Sequence, residues 1–434
     1  MQESRTKNSL RNITWGVIYK IITLLLPFLT RTITLYLLGA NYLGIDTLFS
    51  SVLNFLSLTE LGLGSAIVYI MYSPIVDGNI ELLGSILNYY KKLYRKIGVV
   101  MLVIGTIVVP VIPFLINNGT PDGINVYILY YLYLINSVIS YFFSGYRSSL
   151  LSAYQREDVN AKLLTIVSIV VQFGQIFVLY TTKNYYLFAI VPIVGTLITN
   201  TMYFVMTKKM YPDVIPTGKV DTSIKQDVKK RIGGLVGTKL NSIVVHSADN
   251  IIISAFLGLT VTAQYGNYYL IFNAVCGFVA VFFSAITASI GNKLVMDTID
   301  NNFILFKNLS FLNMWIVCIC CTCFLCLFEP FMEIWMGKEL VLGLPFTILM
   351  VLYFFVYQIQ KTVLTFKDAA GLWHIDKLRP YVSMIVNLVS NLVLVQFIGI
   401  YGIVISTIIA FLISLPWANK VLFDVLFKKN HFLN

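Results

Sequence analysis

The chain has 434 residues, 58% of them hydrophobic and only 12% charged, with a mean hydropathy of +0.80 and a formal net charge of +11. A soluble protein of this length needs a charged surface around its core, so the composition excludes a purely soluble globular class. Apolar runs of 18 or more residues recur throughout, the pattern of a polytopic helical membrane protein with no sizeable soluble domain.

In chain order the apolar segments fall near 15–38, 45–72, 97–116, 126–145, 163–182, 185–206, 232–257, 266–290, 310–328, 341–360, 380–398 and 400–422, twelve expected spans. Short connections such as "LGANYLG" (38–44) and "IGIYG" (398–402) make antiparallel helix pairs. If the N-terminus is cytoplasmic, almost all of the 31 Lys and Arg residues fall on the inner side, and only Arg31, Lys183 and Lys338 lie elsewhere. That asymmetry predicts an even number of spans with both termini inside. The positive charge is therefore a topology signal, and no nucleic-acid partner is expected. The first apolar run is long, lacks a small-residue cleavage site and leads directly into the second, so it reads as an uncleaved signal anchor.

The first intramembrane charge is Arg31, one turn after Pro27 and roughly 12 Å inside the outer helix end at 1.5 Å per residue. Snorkelling to the headgroups is a stretch from there, so Arg31 is expected to face a wet cavity or a partner. Glu60 lies well inside the second span in "LSLTELGLGSAI", which calls for pairing, neutralisation or water.

The longest polar stretch, residues 207–231, carries Pro212, Pro216, Gly218 and a dense basic end. It reads as a cytoplasmic linker between an N-terminal six-helix lobe (1–206) and a C-terminal one (232–434). The halves resemble each other: "RTITLYLLGANYLGIDTLFSSVL" (31–53) runs parallel to "NIIISAFLGLTVTAQYGNYYLIF" (250–272). A weaker echo links 146–167 with 357–386, each a polar elbow between spans. Both halves start on the same side, so the repeats are parallel, related by an axis along the membrane normal.

The seventh span carries Lys239, His246 and Asp249 in eleven residues. At 100° per residue, Lys239, His246 and Asn250 fall within about 40° of one stripe, with Asp249 at its edge. Such a face should point into protein or water. Lys239 could instead snorkel inward, and a neutral His246 bonded to a neighbouring helix would also fit.

Of the six cysteines, five form "CICCTCFLC" inside the ninth span. The spacing matches no zinc pattern, and the thiols read as small apolar residues. With three histidines (His246, His374 and His431) no metal site is expected. Hydrolase, metalloprotease and nucleotide-binding motifs are absent, so the chain is expected not to be an enzyme and to draw on an ion gradient or a partner rather than bound ATP.

"RTITLYLLGANYLGIDTLFSSVLNFLSLTELGLGSAIVYIMYSPI" (31–75), residues 248–272, "FMEIWMGKEL" (331–340) and residues 376–409 together resemble Wzx-type polysaccharide flippases. These belong to the multidrug/oligosaccharidyl-lipid/polysaccharide (MOP) exporter superfamily. The resemblance covers nearly the whole chain, but many relatives carry two further C-terminal spans. It implies two pseudo-symmetric six-helix lobes around a central cavity, alternating access, and a bacterial cytoplasmic-membrane location. It also implies a polyprenyl-diphosphate-linked oligosaccharide as cargo, moved from the inner to the outer leaflet for capsule or exopolysaccharide synthesis. Membrane lipid, a polysaccharide polymerase and a co-polymerase are the implied partners.

A diphosphate needs fixed cations in a wet site, for which Arg31 and Lys239 are the candidates. Asn241, Asn250, Tyr269 and Asn273 are the candidates for sugar hydroxyls. Glu60, His246 and Asp249 are the candidates for coupling to H+ or Na+, and no organic cofactor is expected. Two alternatives stand: an efflux antiporter for drugs or cations on the same fold, and, in another class, a membrane polysaccharide polymerase. The short outer loops near 117–125 and 329–341 count against the polymerase.

Overall fold

The structure is a computed structural model that describes residues 5–60, 62–117, 119–121, 123–372 and 375–428. The described residues form helices and no strand. In chain order these are α1 (Arg5–Leu38), α2 (Ala40–Leu56), α3 (Leu63–Val76), α4 (Ile80–Val108), α5 (Val126–Phe142), α6 (Ser148–Ala153), α7 (Glu157–Thr182) and α8 (Tyr185–Met210). They continue as α9 (Thr222–Leu257), α10 (Leu259–Met296), α11 (Ile299–Met336), α12 (Leu344–Ile359), α13 (Lys361–Ala369), α14 (Arg379–Ile398) and α15 (Ile400–Leu422).

Among the described residues, nine helices are long and apolar enough to cross a membrane, and the bent pair α5/α6 makes a tenth. The two remaining expected spans, 45–72 and 232–257, coincide with shorter apolar helices at Leu63–Val76 and Ile243–Leu257. The first of these is short because the span is broken: a 3-10 turn at Ser57–Glu60 and left-handed Gly62 (φ 74°) separate α2 from α3. This is an all-α, multi-pass membrane protein.

The chain divides into two compact units, residues 1–114 with 120–236, and residues 115–119 with 237–434. In the first unit, asparagines start the helices. Asn125 Oδ1 accepts from the Tyr127 and Ile128 amides, and Asn184 Oδ1 from the Tyr186 and Leu187 amides, satisfying donors that a helix start leaves open. Outward faces are apolar: Val170, Phe173, Phe177 and Tyr180 on α7, three or four residues apart, are all exposed, as a lipid-facing stripe would be.

Residues 207–231, read from sequence as a linker, are packed onto the first unit. Val214, Val220 and Val228 join Leu83, Ile86 and Leu87 in one buried cluster. Asn88 Nδ2 donates to the Gly218 carbonyl at 2.8 Å. A Cβ on Gly84 would come within 2.4 Å of the Ile215 carbonyl oxygen, so only glycine allows the segment to lie this close to α4.

In the second unit, residues 115–117 are fastened to the end of α9. Ser254 Oγ donates to the Leu115 carbonyl at 2.7 Å, and Asn117 donates to the Ser254 and Phe256 carbonyls. Rings of Phe303, Phe306, Phe366, Phe423 and Phe427 build the core between α11, α13 and the chain after α15. The elbow between α13 and α14 is held by charge. Asp376 accepts from Lys367 and, at 2.6 Å, from Arg379 Nε, while Arg379 Nη1 donates to Ser414 Oγ on α15 at 2.7 Å. His374, inside this elbow, and His431 lie outside the described residues.

The sequence echo has a local structural counterpart. Gly39 joins α1 to α2 with φ 98° and ψ 174°, and Gly258 joins α9 to α10 with φ 90° and ψ 175°. These are the glycines of "LLG" and "FLG", and both hold a backbone conformation that L side chains rarely adopt.

Candidate functional site

Each unit holds its own buried polar cluster, and the two are described separately. In the first unit, Arg31 on α1 faces α2. Its Nη1 lies 3.9 Å from Asp46 Oδ2 and its Nη2 donates to Thr47 Oγ1 at 3.4 Å. Asp46 Oδ1 accepts from Tyr133 Oη of α5 at 2.6 Å. Tyr133 Oη is 3.1 Å from Tyr185 Oη of α8, and Tyr185 Oη also reaches the Tyr42 carbonyl at 3.1 Å. Arg31 of α1 is thus held near a carboxylate and two phenols contributed by three other helices. Its side chain keeps 15% exposure.

Glu60 sits at the break between α2 and α3. Its Oε2 accepts from Tyr141 Oη of α5 at 2.7 Å, and Tyr94 of α4 packs on Tyr141 with ring centroids 4.5 Å apart. The interruption of the helix explains the carboxylate's place. A 3-10 turn followed by left-handed glycine turns Glu60 toward α4 and α5, where hydroxyl donors are available. Arg31 and Glu60 share none of these partners.

The second unit centres on Asp249, which is 1% exposed. Its carboxylate accepts from Asn391 Nδ2 at 2.7 Å (α14), Tyr265 Oη at 3.1 Å (α10) and Thr407 Oγ1 at 3.4 Å (α15). A further ring of bonds supports these donors: Asn387 Nδ2 donates to Thr407 Oγ1 at 3.0 Å, and Asn391 Nδ2 also reaches Asn387 Oδ1 at 3.3 Å. Four helices therefore converge on one carboxylate. Among the described residues no Lys, Arg or His side chain pairs with it. A carboxylate in this setting has two inexpensive states: ionised with its three donors and a small cation, or protonated.

The remaining expected residues fall as follows. Asn250 is buried beside Asp249. Asn241 lies two turns earlier on α9, with its Oδ1 buried and without a hydrogen-bond partner. Tyr269 stacks between Tyr265 at 5.8 Å and Phe272 at 5.7 Å, and Asn273 is exposed one turn further along α10. The backbones of Lys239 and His246 belong to α9, but their side chains lie outside the described residues.

Sequence reasoning missed Asp46, Tyr133 and Tyr185 around Arg31, and Asn387, Asn391 and Thr407 around Asp249. One signal was there to be read. Ser383, Asn387 and Asn391 recur every four residues on an otherwise apolar helix, and all three are buried. Such a polar stripe inside a span requires a polar partner.

No protein-family model matches the chain, and no curated protein matches it. Solved structures do. An inward-facing multidrug resistance MATE family transporter of the MOP superfamily superposes with TM-score 0.69 at 12% identity, covering 97% of this chain and 99% of that one. The chain shares its fold with this transporter. The lipid II flippase MurJ in an inward closed conformation gives TM-score 0.64 at 15% identity over 95% of this chain and 87% of its own. A MOP superfamily transporter from Pyrococcus furiosus, described as having a binding pocket of reverse polarity, gives 0.61 at 12% identity, covering 98% and 97% of the two chains. These similar proteins are described as transporters and a flippase.

Proposed function

We propose that the protein is an ion-coupled flippase. Its cargo is a polyprenyl-diphosphate-linked oligosaccharide, moved by alternating access from the inner to the outer leaflet of the bacterial cytoplasmic membrane for surface polysaccharide synthesis. The observation that carries the ion-coupled part is the Asp249 network. A carboxylate held by three neutral donors inside a membrane-spanning unit, with no cationic partner among the described residues, is costly to keep unless its occupancy changes during work. Glu60 with Tyr141 is the corresponding candidate in the first unit, and His246 remains a candidate on α9.

The lipid-linked cargo is supported by the sequence resemblance to Wzx-type flippases, and the fold shared with a lipid II flippase is compatible with it. Arg31 supports it chemically. An arginine with part of its surface accessible can offer two parallel N–H donors to a diphosphate, a group that cannot cross hydrocarbon bare. Lys239 would add a second cation, and Asn241, Asn250, Tyr269 and Asn273 would meet sugar hydroxyls. A polymerase and co-polymerase are the expected downstream partners.

The likeness to a multidrug transporter favours a second reading, efflux of cationic drugs. One experiment separates the two. The protein is expressed in a bacterium lacking its own lipid-linked oligosaccharide flippase, with matched repeat units supplied. Return of surface glycan supports the flippase. No glycan despite normal membrane insertion, together with a gain in drug resistance, establishes efflux instead.

A further inference from the structure

Helices α10 and α12 run in the same direction through the second unit. Their contacts advance in step: Tyr268 lies on Phe346 at 5.2 Å, and Phe272 then lies on Tyr353 at 4.4 Å and on Tyr357 at 6.1 Å. Each helix carries a polar stripe at intervals of four residues. On α10 it is Tyr265, Tyr269 and Asn273. On α12 it is Tyr353 and Tyr357, continued by Lys361 at the start of α13.

Both stripes lead to Asp249. Tyr265 Oη donates directly to its carboxylate, and Tyr353 lies within electrostatic reach of Asp249, Tyr265 and Tyr269. Exposure rises with distance from the carboxylate. Tyr265 and Tyr353 are fully buried, Tyr269, Tyr357 and Lys361 are half-buried, and Asn273 is exposed. Tyr353 Oη is buried and finds no hydrogen-bond partner among the described residues. A dry, unpaired phenol hydroxyl is expensive, whereas one that bonds a passing water is not.

We propose that these two stripes form a proton path from the Lys361 end of the second unit to Asp249. The inference rests on the ion-coupled reading of Asp249 and adds the ion and its route. Water held by the hydroxyls of Tyr353, Tyr357 and Tyr269 relays a proton to the Asp249 carboxylate, which becomes the neutral acid and releases its donors. The charges along the route favour a proton over a metal cation. No Asp or Glu lies on either stripe to ligate a metal ion before Asp249.

The test uses the purified full-length protein in liposomes, followed by time-resolved infrared spectroscopy after a pH jump. The protonated carboxyl band of Asp249 is identified by its loss in Asp249→Asn. In the double variant Tyr353→Phe/Tyr357→Phe, which keeps both rings, the band should reach the same amplitude at a rate lower by about tenfold or more. An unchanged rate overturns the path. The wild-type rate should also fall about twofold in heavy water, and an absent isotope effect overturns it as well. Unaltered amplitude shows that the double variant is folded around Asp249, and the single variant Tyr357→Phe, at a half-buried position, supplies the comparison if it is not. A missing Asp249 band, with glycan export still lost in Asp249→Asn, overturns the proton in favour of a metal cation. Normal export by Asp249→Asn would instead defeat the ion-coupled reading itself.

Discussion

Asp249 is a buried charge and Arg31 a partly buried one, and their surroundings differ in kind. Arg31 has a carboxylate 3.9 Å away, whereas Asp249 has hydroxyl and amide donors and no ion pair among the described residues. Removing the Asp46 charge with Asp46→Asn strips Arg31 of its ion pair. Because Asp46 is itself about a third exposed, the expected loss is about 2 kcal/mol rather than the larger cost of breaking a fully buried pair. Thermal melting of the purified protein reads this as a drop of several degrees, and Tyr133→Phe should cost less. Asp249→Asn is the opposite case. The amide oxygen still accepts one bond and the hydroxyls of Tyr265 and Thr407 can rotate, so melting should change little while transport is lost. Full transport with an unaltered melting point would remove Asp249 from the mechanism. The candidates were legible at this scale because a charge inside an apolar run stands out. Their partners were not, since a tyrosine or threonine in a membrane helix is unremarkable until the neighbouring helix is placed.

At the scale of elements, glycine decides where helices stop and how closely segments approach. Gly39 and Gly258 hold the same positive-φ junction, so Gly258→Val should cost about 1–3 kcal/mol through backbone strain, and Gly39→Val about the same. Equal losses of thermal stability would mark the two turns as equivalent, and no loss at either would contradict the strained geometry. Gly84→Val acts on a different contact. It drives a side chain into the Ile215 carbonyl, so residues 211–220 should lift from α4 and become sensitive to limited proteolysis in folded protein. The segment 207–231 illustrates what composition conceals. Its prolines, glycine and lysines read as a cytoplasmic linker, and Val214, Val220 and Val228, three ordinary valines, anchor it to the first unit's core.

At the scale of the molecule, the apolar surface is the main fact. Long helices of both units expose large hydrophobic side chains along whole faces, including Phe177 on α7 and Phe311 and Trp315 on α11. Cys318, Cys323 and Cys326 lie exposed on α11 within this surface. A thiol that faces hydrocarbon is out of reach of a water-soluble reagent. A membrane-impermeant maleimide should therefore leave these cysteines unlabelled in intact membranes and label them after denaturation in detergent. Rapid labelling in membranes would show that this face of α11 is wet.

The sequence by itself determined the helical membrane class, the order of the apolar segments, and the charged positions that a bilayer would not tolerate without a reason. These properties are local: twenty apolar residues in a row, or an aspartate among isoleucines, carry their energetic meaning without reference to the rest of the chain. Tertiary structure alone decided what each charge meets. Asn391 is 142 residues from Asp249 and Tyr133 is 87 from Asp46, and no periodicity within one helix can encode a partner on another. The same holds for the polar stripes of α10 and α12. Each is visible as a four-residue repeat, but only the parallel packing of the two helices sets the rings of one against those of the other beside Tyr265, which bonds the carboxylate.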